Sequence, residues 1–367
     1  MTDGQSCDVT SRSLTASGDD PAPGVIAGAE LAEWTTLRVG GPADRVVTAT
    51  TEIELIEAVR VAEQAGQPVL VLGGGSNVLI ADSGFPGTVV RVGTRGIKAD
   101  VSSCSGATVT VAAGEDWDAF VATAVEQEWS GIESLSGIPG LMGGTPIQNV
   151  GAYGSEVAQT IARVRTFDRT TGKQATFSVA DCGFGYRTSR FKAEPGRYLV
   201  LEVEFQFTLG SLSAPIRYAE LARVLGVAVG ARVPAIDVRQ AVLDLRAGKG
   251  MVLDPDDHDT WSAGSFFTNP VLSASTAVDL PPDAPRFQQP DGRVKTSAAW
   301  LIERAGFGKG YGSGRARLST KHTLALTNRG DSTAADLLAL AREVRAGVEQ
   351  RFGITLVPEP VLVECTL

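Results

Sequence analysis

After a polar start, apolar residues of the chain follow first a strand-like and then a helical spacing. Residues 45–49 and 68–72 are typical of short strands. Between them, Thr51 and Glu54 form a capping-box pattern, which predicts a helix beginning after Thr51. The predicted apolar face of this helix consists of Ile53, Ile56, Val59 and Ala62. The pattern therefore predicts a β-α-β unit whose second strand runs directly into a run of glycines.

Strand patterns dominate the next part of the chain. The predicted strands lie at 88–92, 107–113, 161–168, 174–179 and 198–207, and one helix is predicted at 117–128. Residues 134–154, which lie between these elements, show little periodicity of either kind. This part is therefore expected to be a strand-rich lobe with one long irregular segment.

Helical patterns return after about residue 211. The predicted helices lie at 215–225, 234–247, 297–305 and 333–351, with short strands at 264–269 and 322–327. The last apolar run, 354–364, is strand-like but is interrupted by Pro358-Glu359-Pro360. Proline on both sides suits an edge strand or a rigid turn.

These changes of pattern predict four parts. Residues 1–29 are rich in Ser, Asp, Gly and Pro, lack the apolar core of a secretion signal, and are expected to be a disordered extension. An α/β lobe is predicted over 30–95, a strand-rich lobe over 96–209, and a third domain over 210–367.

Composition narrows the class of function. The 367 residues are 43% hydrophobic and 20% charged, which suits a globular protein, and the formal net charge of −9 argues against an extended nucleic-acid footprint. No apolar run reaches the roughly 18 residues of a membrane span. We therefore expect a cytoplasmic protein that binds a small molecule, with no nucleic-acid or membrane partner and no evident obligate protein partner.

The cysteines and histidines do not suggest a metal site. Cys7, Cys104, Cys182 and Cys365 show no C-x-x-C spacing, and His258 and His322 are the only histidines. We therefore expect no metal and scattered reduced thiols.

The glycine run is the first motif with chemical content. Gly73, Gly74 and Gly75 follow a predicted strand, and glycine allows positive φ, so that backbone N–H groups can converge on an anion. Ser76 and Asn77 add side-chain donors. The run lacks the ending of a Walker loop and the spacing of a dinucleotide fingerprint. It favours phosphate binding, with a plain tight turn as the alternative.

The irregular segment is the second motif. Long irregular segments inside compact domains are often functional. Gln148 and Asn149 can both donate and accept hydrogen bonds, as the edge of a flavin ring requires. A structural Ω-type loop is the alternative for this segment.

Three further residues are candidates for chemistry. Arg187 follows two glycines and offers a planar fork that matches a carboxylate, although a surface arginine is the alternative. Ser265 has no evident Ser-His-Asp partners, so it is either a proton donor or an ordinary strand serine. Glu359 is the only acid in a proline-bounded apolar run, which places it either at an exposed edge or in a site.

Together these motifs resemble the UDP-N-acetylenolpyruvoylglucosamine reductase family from about Trp34 to Glu364. The markers, in the family's order, are Gly73–Leu79, Gly137–Gly154, Tyr186–Lys192, Gly264–Pro270 and Pro358-Glu359-Pro360. The resemblance implies an α+β fold, with a two-lobe FAD-binding fold of the vanillyl-alcohol-oxidase type over 30–209 and a C-terminal α/β substrate-binding domain over 210–367. It also implies that the last strand returns Glu359 to the flavin.

The resemblance implies non-covalent FAD and NADPH as hydride donor. The cofactor-binding residues it implies are Gly73, Gly74, Gly75, Ser76, Asn77, Gly137, Ile138, Gly144, Gln148, Asn149 and Gly151. The implied reaction converts UDP-N-acetylenolpyruvoylglucosamine to UDP-N-acetylmuramic acid in peptidoglycan precursor synthesis. Ser265 would supply the proton, while Arg187 and Glu359 would stabilise the enolate-like intermediate. Glu359 would have to carry or share a proton in order to donate there.

The resemblance also implies substrate contacts. Tyr186 adjoins the implied catalytic arginine, and Tyr218 matches a tyrosine that caps the substrate, with a helix-face tyrosine as the alternative. Lys249 matches a phosphate-contacting lysine, although the spacing to Asp254-Pro255 is two residues longer than the family pattern. Asn269 and His322 match polar positions on the substrate side.

A run of basic residues is a separate observation, which rests on local charge. Its five members have no acid among them and form either a diphosphate-attracting patch or a solvated face: Arg304, Lys309, Arg315, Arg317 and Lys321.

Two other functions are weighed against this one. A flavin oxidase of the same fold would often attach its flavin through histidine or cysteine, but residues 1–257 contain no histidine. A non-catalytic flavin or nucleotide-sugar binding module would not require an acid paired with a proton donor.

Overall fold

The computed structural model of the chain describes residues 8–16 and 23–367. Their contacts divide them into two units. The first unit contains the described residues up to Ala27 together with Asp44–Gly74 and Gly87–Ala247. The second contains Gly28–Ala43, Gly75–Pro86 and Gly248–Leu367.

The strands, in chain order, are β1 (Thr10–Leu14), β2 (Gly24–Glu30), β3 (Pro42–Ala49), β4 (Val69–Leu72), β5 (Val78–Ile80), β6 (Phe85–Val92), β7 (Ile97–Ser102), β8 (Gly106–Ala112), β9 (Trp129–Ser130), β10 (Gly151–Ala152), β11 (Ser155–Glu156), β12 (Ile161–Asp168), β13 (Lys173–Ser178), β14 (Tyr198–Leu209), β15 (Val271–Leu272), β16 (Phe287–Gln288), β17 (Val294–Lys295), β18 (Ala316–Leu318), β19 (Leu326–Asn328) and β20 (Val361–Val363). The α-helices are α1 (Glu52–Gln64), α2 (Trp117–Glu126), α3 (Arg190–Ala193), α4 (Ala219–Val224), α5 (Ala235–Gly248), α6 (Ala274–Val278), α7 (Ala298–Arg304) and α8 (Ala334–Phe352).

The first unit is built on an antiparallel sheet of order β1-β7-β8-β14-β12-β13, with β9 paired to β14. Alternate residues of β8 and β14 are buried, as expected for strands with one face on a core. Helix α2 supplies Trp117 and Phe120 to this core, where Phe120 meets Phe205 with ring centroids 5.3 Å apart. A second sheet has the order β2-β3-β6-β4, in which β4 and β6 are parallel.

The second unit has its core around α7 and α8. Seven residues of α8 are buried, and they pack with Phe266, Phe267, Leu301 and Leu79 in one apolar cluster. Strands β5 and β20 pair in parallel, with Val78 opposite Val361. This pairing brings the residues after the glycine run beside the chain that follows Glu359.

The predicted β-α-β unit is present. The side chain of Thr51 accepts from the Glu54 N–H, and the Glu54 carboxylate accepts from the Thr51 N–H, so the predicted capping box is confirmed. The predicted apolar face is wrong in one respect, because Ile53 is 76% exposed whereas Leu55, Val59 and Ala62 are buried. The buried stripe thus begins at the fourth helical residue, Leu55, rather than at the second.

The prediction of a disordered extension over 1–29 is wrong where the structure describes strands β1 and β2. Strand β1 pairs with β7 over five residues, Thr10–Leu14. Its residues are mostly exposed, so its order comes from backbone hydrogen bonds at a sheet edge rather than from side-chain burial. A polar sequence is therefore no obstacle to this strand. The remainder of the predicted extension lies outside the described residues.

The structural division also departs from the predicted start of a third domain at residue 210. Residues up to Ala247 belong to the first unit, where α4 and α5 build a small core from Ile216, Leu221, Val238 and Val242. Helix α5 is held to α2 by an ion pair of Arg239 with Asp118, at 2.6 Å.

Two strand predictions in the second unit are also wrong in extent. The stretch predicted as a strand at 264–269 contains only an isolated bridge, between Phe267 and Pro358, and strand β20 spans Val361–Val363 rather than 354–364. Prolines 358 and 360 have no N–H to offer a ladder, which limits regular pairing there.

The cysteines depart from the prediction at one position. Cys182 and Cys365 are free thiols, as expected, but Cys104 is disulfide-bonded. Burial raises the pKa of the Cys182 thiol to about 12. In the described part of the chain, no helix has the length and apolarity required to cross a membrane.

Candidate active site

The glycine run forms the loop between β4 and β5, as the sequence predicts. A Cβ on Gly74 would lie 2.8 Å from the Gly140 Cα, so the loop and the irregular segment touch backbone to backbone there. At Gly75 the φ of 61° is left-handed, and a Cβ would overlap the Trp34 carbonyl oxygen. Both positions therefore require glycine, for different reasons.

This loop offers a set of donors suited to a diphosphate. A strand follows it and no helix opens there, which agrees with the absence of a dinucleotide fingerprint. None of the backbone hydrogen bonds among residues 8–16 and 23–367 uses the N–H of Gly74, Gly75 or Ser76 as its donor. Consecutive backbone N–H groups that have no backbone acceptor, in a glycine-rich turn, form the kind of concavity that binds phosphate. The loop thus fits the diphosphate of FAD.

The irregular segment is anchored at its start by helices α2 and α5. The Gly137 N–H donates to Asp118 Oδ1 at 2.6 Å, and the Gly137 carbonyl accepts from Arg246 Nε at 3.0 Å. Burial alone would raise the pKa of the Asp118 carboxyl, but hydrogen bonds from Arg239 and Gly137 outweigh burial and lower that pKa below its usual range. Asp118 is thus a charged anchor for the segment.

Further along, the segment is tied to the connection between β8 and α2. The Met142 and Gly143 N–H groups each donate a 2.8 Å hydrogen bond, to the carbonyls of Glu115 and Ala113. Ile138 and Gln148 are half-buried, whereas Gly144 is exposed with nothing within 4 Å of a Cβ placed on it. The segment therefore satisfies much of its own backbone, as a structural loop does, and still leaves space at Gly144.

Arg187 is held by the end of the same segment. Its Nη2 donates to the Gly151 carbonyl at 2.7 Å, and Nη1 lies 3.5 Å from the Asn149 carbonyl. The guanidinium carbon lies 5.6 Å from the centroid of the neighbouring Tyr186 ring. The structure thus brings together Asn149, Gly151, Tyr186 and Arg187 in the first unit.

Asn149 differs from the expectation of a flavin-edge donor. Its side-chain Nδ2 donates to Glu156 Oε2 at 2.9 Å and to the Gly185 carbonyl at 3.1 Å, and its Oδ1 accepts from the Ala158 N–H at 3.2 Å. An amide has two hydrogens to donate, and both are used here within the protein.

Tyr218 precedes helix α4 and is 43% exposed. Its ring meets Tyr153 edge to face, with centroids 5.6 Å apart. Tyr153 belongs to the irregular segment, so Tyr218 stands beside that segment with its ring partly open to solvent. It is the helix N-cap rather than a residue within the helix, which disfavours the alternative of a helix-face tyrosine.

In the second unit, Ser265 and Glu359 lie on neighbouring segments. The Glu359 N–H donates to the Phe266 carbonyl at 2.8 Å, and the Thr268 N–H donates to the Val357 carbonyl at 3.0 Å. Asn77 joins them, because its Nδ2 lies 3.4 Å from the Glu359 carbonyl and its own carbonyl accepts from the Val361 N–H at 2.9 Å. The segments that contain Asn77, Ser265 and Glu359 are far apart in the sequence and adjoin here.

The remaining substrate-side candidates also belong to the second unit. Asn269 Oδ1 accepts from the Ala298 N–H at 2.9 Å at the start of α7. His322 Nδ1 accepts from the Leu324 N–H at 3.1 Å, which places the proton of a neutral ring on Nε2. Lys249 is half-buried, directly after the end of α5.

The basic run at 304–321 does not act as a free patch. Arg304 pairs with Asp283 at 2.7 Å, Arg315 with Asp331 at 3.3 Å, and Lys321 with Asp257 at 2.5 Å. The acids come from outside the run, which is why the sequence window showed none. Three of the five charges are thus matched by acids, which favours the solvated face over a diphosphate-attracting patch.

Sequence reasoning missed several residues that shape the site. Asp118, Arg239 and Arg246 fix Gly137, and Glu156 fixes Asn149. Asp118 pairs with Arg239 across 121 positions of sequence, so no local pattern indicates the contact. Glu156 was detectable in principle, since it lies seven residues after Asn149 in a glycine-rich hairpin.

Comparison with known proteins gives the class. Residues 43–178 match the family model of an FAD binding domain, and residues 254–363 match the C-terminal domain of UDP-N-acetylenolpyruvoylglucosamine reductase. The chain is therefore an FAD-dependent oxidoreductase, and the α+β fold class predicted from the sequence is confirmed.

The relatives then give the family. The chain is 63% identical over 340 residues to UDP-N-acetylenolpyruvoylglucosamine reductase of Cutibacterium acnes, an alignment covering 92% of this chain and 90% of the relative. It is 57% identical over 350 residues to the enzyme of that name from Streptomyces coelicolor, again covering 92% and 90%. The crystal structure of the reductase from Thermus caldophilus matches with a TM-score of 0.63 and 26% identity, over 93% of this chain and 99% of that one. The chain belongs to the UDP-N-acetylenolpyruvoylglucosamine reductase family.

Proposed function

We propose that this protein uses NADPH to reduce UDP-N-acetylenolpyruvoylglucosamine to UDP-N-acetylmuramic acid, as a step of peptidoglycan precursor synthesis. The observation that carries the proposal is the pairing of the Ser265 and Glu359 segments, with the Glu359 N–H on the Phe266 carbonyl at 2.8 Å. This pairing supports the proposal because the segments of Ser265 and Glu359 adjoin, and Asn77 of the glycine loop lies beside Glu359. NADPH and nucleotide sugars are cytoplasmic metabolites, so we also propose the cytoplasm as its location.

The residues that would hold FAD are those of the glycine loop and the irregular segment. Gly73 to Asn77 would face the diphosphate, while Ile138, Gly144, Gln148 and the backbone of Gly137 and Gly151 would face the remainder of the cofactor. When bound, FAD supplies the means of moving a hydride from NADPH to the enolpyruvyl double bond.

The protein's own residues would stabilise the negative charge that develops on the substrate and would supply the proton that completes the reduction. Addition of hydride to the terminal vinyl carbon pushes electron density towards the substrate carboxylate, and donors placed there in advance are most effective where charge develops. Arg187 would bind this carboxylate through its planar fork, and Glu359, carrying a proton, would donate to it. Ser265 would then protonate the carbon beside the carboxylate.

The substrate-side residues would hold the sugar nucleotide. Tyr218 has a partly exposed ring and would cover the diphosphate, with Tyr186 beside Arg187. Lys249 would contact phosphate, and Asn269 and His322 would contribute polar contacts. The family match disfavours both an oxygen-using flavin oxidase and a non-catalytic binding module.

Replacement of Ser265 by alanine tests the proton-donor role. A positioned general acid contributes about 10²–10⁴-fold, so recovery of flavin absorbance on adding the enolpyruvyl substrate should slow by that factor. Bleaching by NADPH needs no proton from this hydroxyl and should keep its wild-type rate. Stopped-flow absorbance without oxygen measures both rates.

A matched control is Thr268→Val. This change removes another hydroxyl of the same segment, one that lies 3.4 Å from the Val357 carbonyl. It should leave both rates unchanged. Equal slowing of both rates in Ser265→Ala would show that the serine shapes the site, and no slowing would remove it from the proposed chemistry.

A further inference from the structure

Asn149 joins three separate segments of the first unit through one buried amide. The residue is 1% exposed, and its side chain bonds to Glu156, Gly185 and Ala158 at 2.9 to 3.2 Å. Glu156 lies opposite Gly151 in the short β10–β11 pair. The amide therefore fixes the hairpin at 151–156 against the turn that contains Gly185.

That turn carries Arg187, and the hairpin supplies the acceptors that orient it. Gly185 forms an isolated bridge with Thr188, so Arg187 lies inside the turn. The guanidinium donates to the Gly151 carbonyl at 2.7 Å, next to the Asn149 carbonyl. Gly151 has no room for a side chain, because a Cβ there would lie 2.9 Å from the Ser155 carbonyl oxygen, and it would also lie 3.2 Å from Arg187 Nη1. Asn149, Glu156, Gly151 and Arg187 are thus packed as one group.

The backbone of this group is strained. Asn149 has φ 48° and Arg187 has φ 52°, both in the left-handed region. Asparagine enters this region readily because its side chain bonds locally, but a long side chain such as arginine does so uncommonly. Such a conformation persists only where the surroundings determine it, and strain of this kind concentrates at functional sites.

We propose that Asn149, held by Glu156, is a positioning residue for Arg187. The clasp, defined as Asn149 and Glu156, sets where the guanidinium lies and therefore how well it meets the substrate carboxylate. This inference rests on the proposed function, in which Arg187 binds that carboxylate. It replaces the expectation that the Asn149 amide contacts the flavin.

The first test is the substitution Asn149→Asp, which keeps the shape but removes both donors and sets two carboxylates against each other. A misplacement of about 1 Å can lower a rate about 10²-fold, and we expect a loss of that size in kcat with the enolpyruvyl substrate. The FAD content, the flavin absorbance spectrum and the rate of bleaching by NADPH should stay near wild type. A purely structural role would lower these together with kcat.

The second test restores the hydrogen bond between residues 149 and 156 with donor and acceptor exchanged. In the double variant Asn149→Asp with Glu156→Gln, the glutamine donates and the aspartate accepts, so the pair is complementary again and the net charge equals that of the wild type. We expect recovery of at least about tenfold in kcat relative to Asn149→Asp, as the coupling of two contacting residues requires. No recovery, with FAD still bound, would contradict the clasp.

The third test shows whether the effect passes through the arginine. In an Arg187→Lys background, which has already lost the planar fork, Asn149→Asp should change kcat by less than about threefold. A full 10²-fold loss in that background would overturn the inference. If Asn149→Asp fails to fold, Glu156→Ala leaves the other two amide bonds in place and should still lower kcat by about tenfold, and wild-type kcat in that variant would equally overturn the inference.

The failure of the clasp can be distinguished from the failure of the proposed function. A wild-type protein that reacts with the substrate while Asn149→Asp reacts equally fast overturns the clasp alone. A wild-type protein that binds FAD but never reacts with the enolpyruvyl substrate overturns both.

Discussion

Alanine substitutions along the glycine loop should have graded effects on the free energy of unfolding, because the three positions differ in the room they have for a methyl group. At Gly73 a Cβ would lie 3.9 Å from the Leu141 side chain, which is ordinary contact. At Gly74 it would lie 2.8 Å from the Gly140 Cα, so backbone must move. At Gly75 it would overlap the Trp34 carbonyl, and φ is 61°.

The magnitudes follow from these contacts. Gly73→Ala restricts the unfolded chain without a clash and should be neutral or stabilising by about 0.4–1 kcal/mol. Gly74→Ala adds overpacking, which costs about 1–3 kcal/mol. Gly75→Ala adds a left-handed penalty of about 1–2 kcal/mol to a similar clash, which gives roughly 2–5 kcal/mol in total.

Urea unfolding of FAD-free protein measures this order, since bound cofactor would add its own contribution to stability. The expected order of stability is Gly73→Ala, then Gly74→Ala, then Gly75→Ala. Equal effects at all three positions, or a larger loss at Gly73 than at Gly75, would refute the description of the loop.

Two further predictions concern single side chains. Tyr218→Phe should lower kcat/KM for the sugar-nucleotide substrate by roughly 10- to 150-fold, because a hydrogen bond to a charged group contributes about 1.5–3 kcal/mol. Thermal stability and the flavin spectrum should stay unchanged. Unaltered steady-state kinetics would remove Tyr218 from the substrate contacts. Cys182 is fully buried and its thiol pKa is raised to about 12. It should therefore resist a thiol reagent at pH 8 in the folded protein and react once the protein is unfolded. Labelling of Cys182 in the folded state, seen by peptide mass spectrometry, would contradict its burial.

Local signals in the sequence predicted those features that depend on neighbouring residues. Thr51 and Glu54 are three residues apart and form their capping box within one turn. The glycine loop follows from a strand pattern that ends in three glycines, and the left-handed φ of 61° at Gly75 belongs to the loop's own backbone conformation. Such features need no knowledge of the remaining fold.

Features that depend on distant residues could not be predicted in this way. From the sequence, the Asn149 amide could form its hydrogen bonds equally well with a ligand or with other residues of the protein. Only the placement of Gly185 and Glu156 shows that its donors are used within the protein. Arg304, Arg315 and Lys321 look unmatched in their own window because their acids lie elsewhere in the chain. Strand β1 is ordered through its pairing with β7, which its polar sequence does not reveal.

The central claim is that this protein carries reducing equivalents from NADPH to an enolpyruvyl sugar nucleotide through FAD. The most direct measurement is an oxygen-free titration of the purified, FAD-loaded protein, first with NADPH and then with UDP-N-acetylenolpyruvoylglucosamine, followed by flavin absorbance. We expect NADPH to bleach the flavin, the sugar nucleotide to restore its colour without oxygen, and UDP-N-acetylmuramic acid to form in equal amount. A protein that takes up no FAD, or whose bleached flavin recovers only when oxygen is admitted, would contradict it.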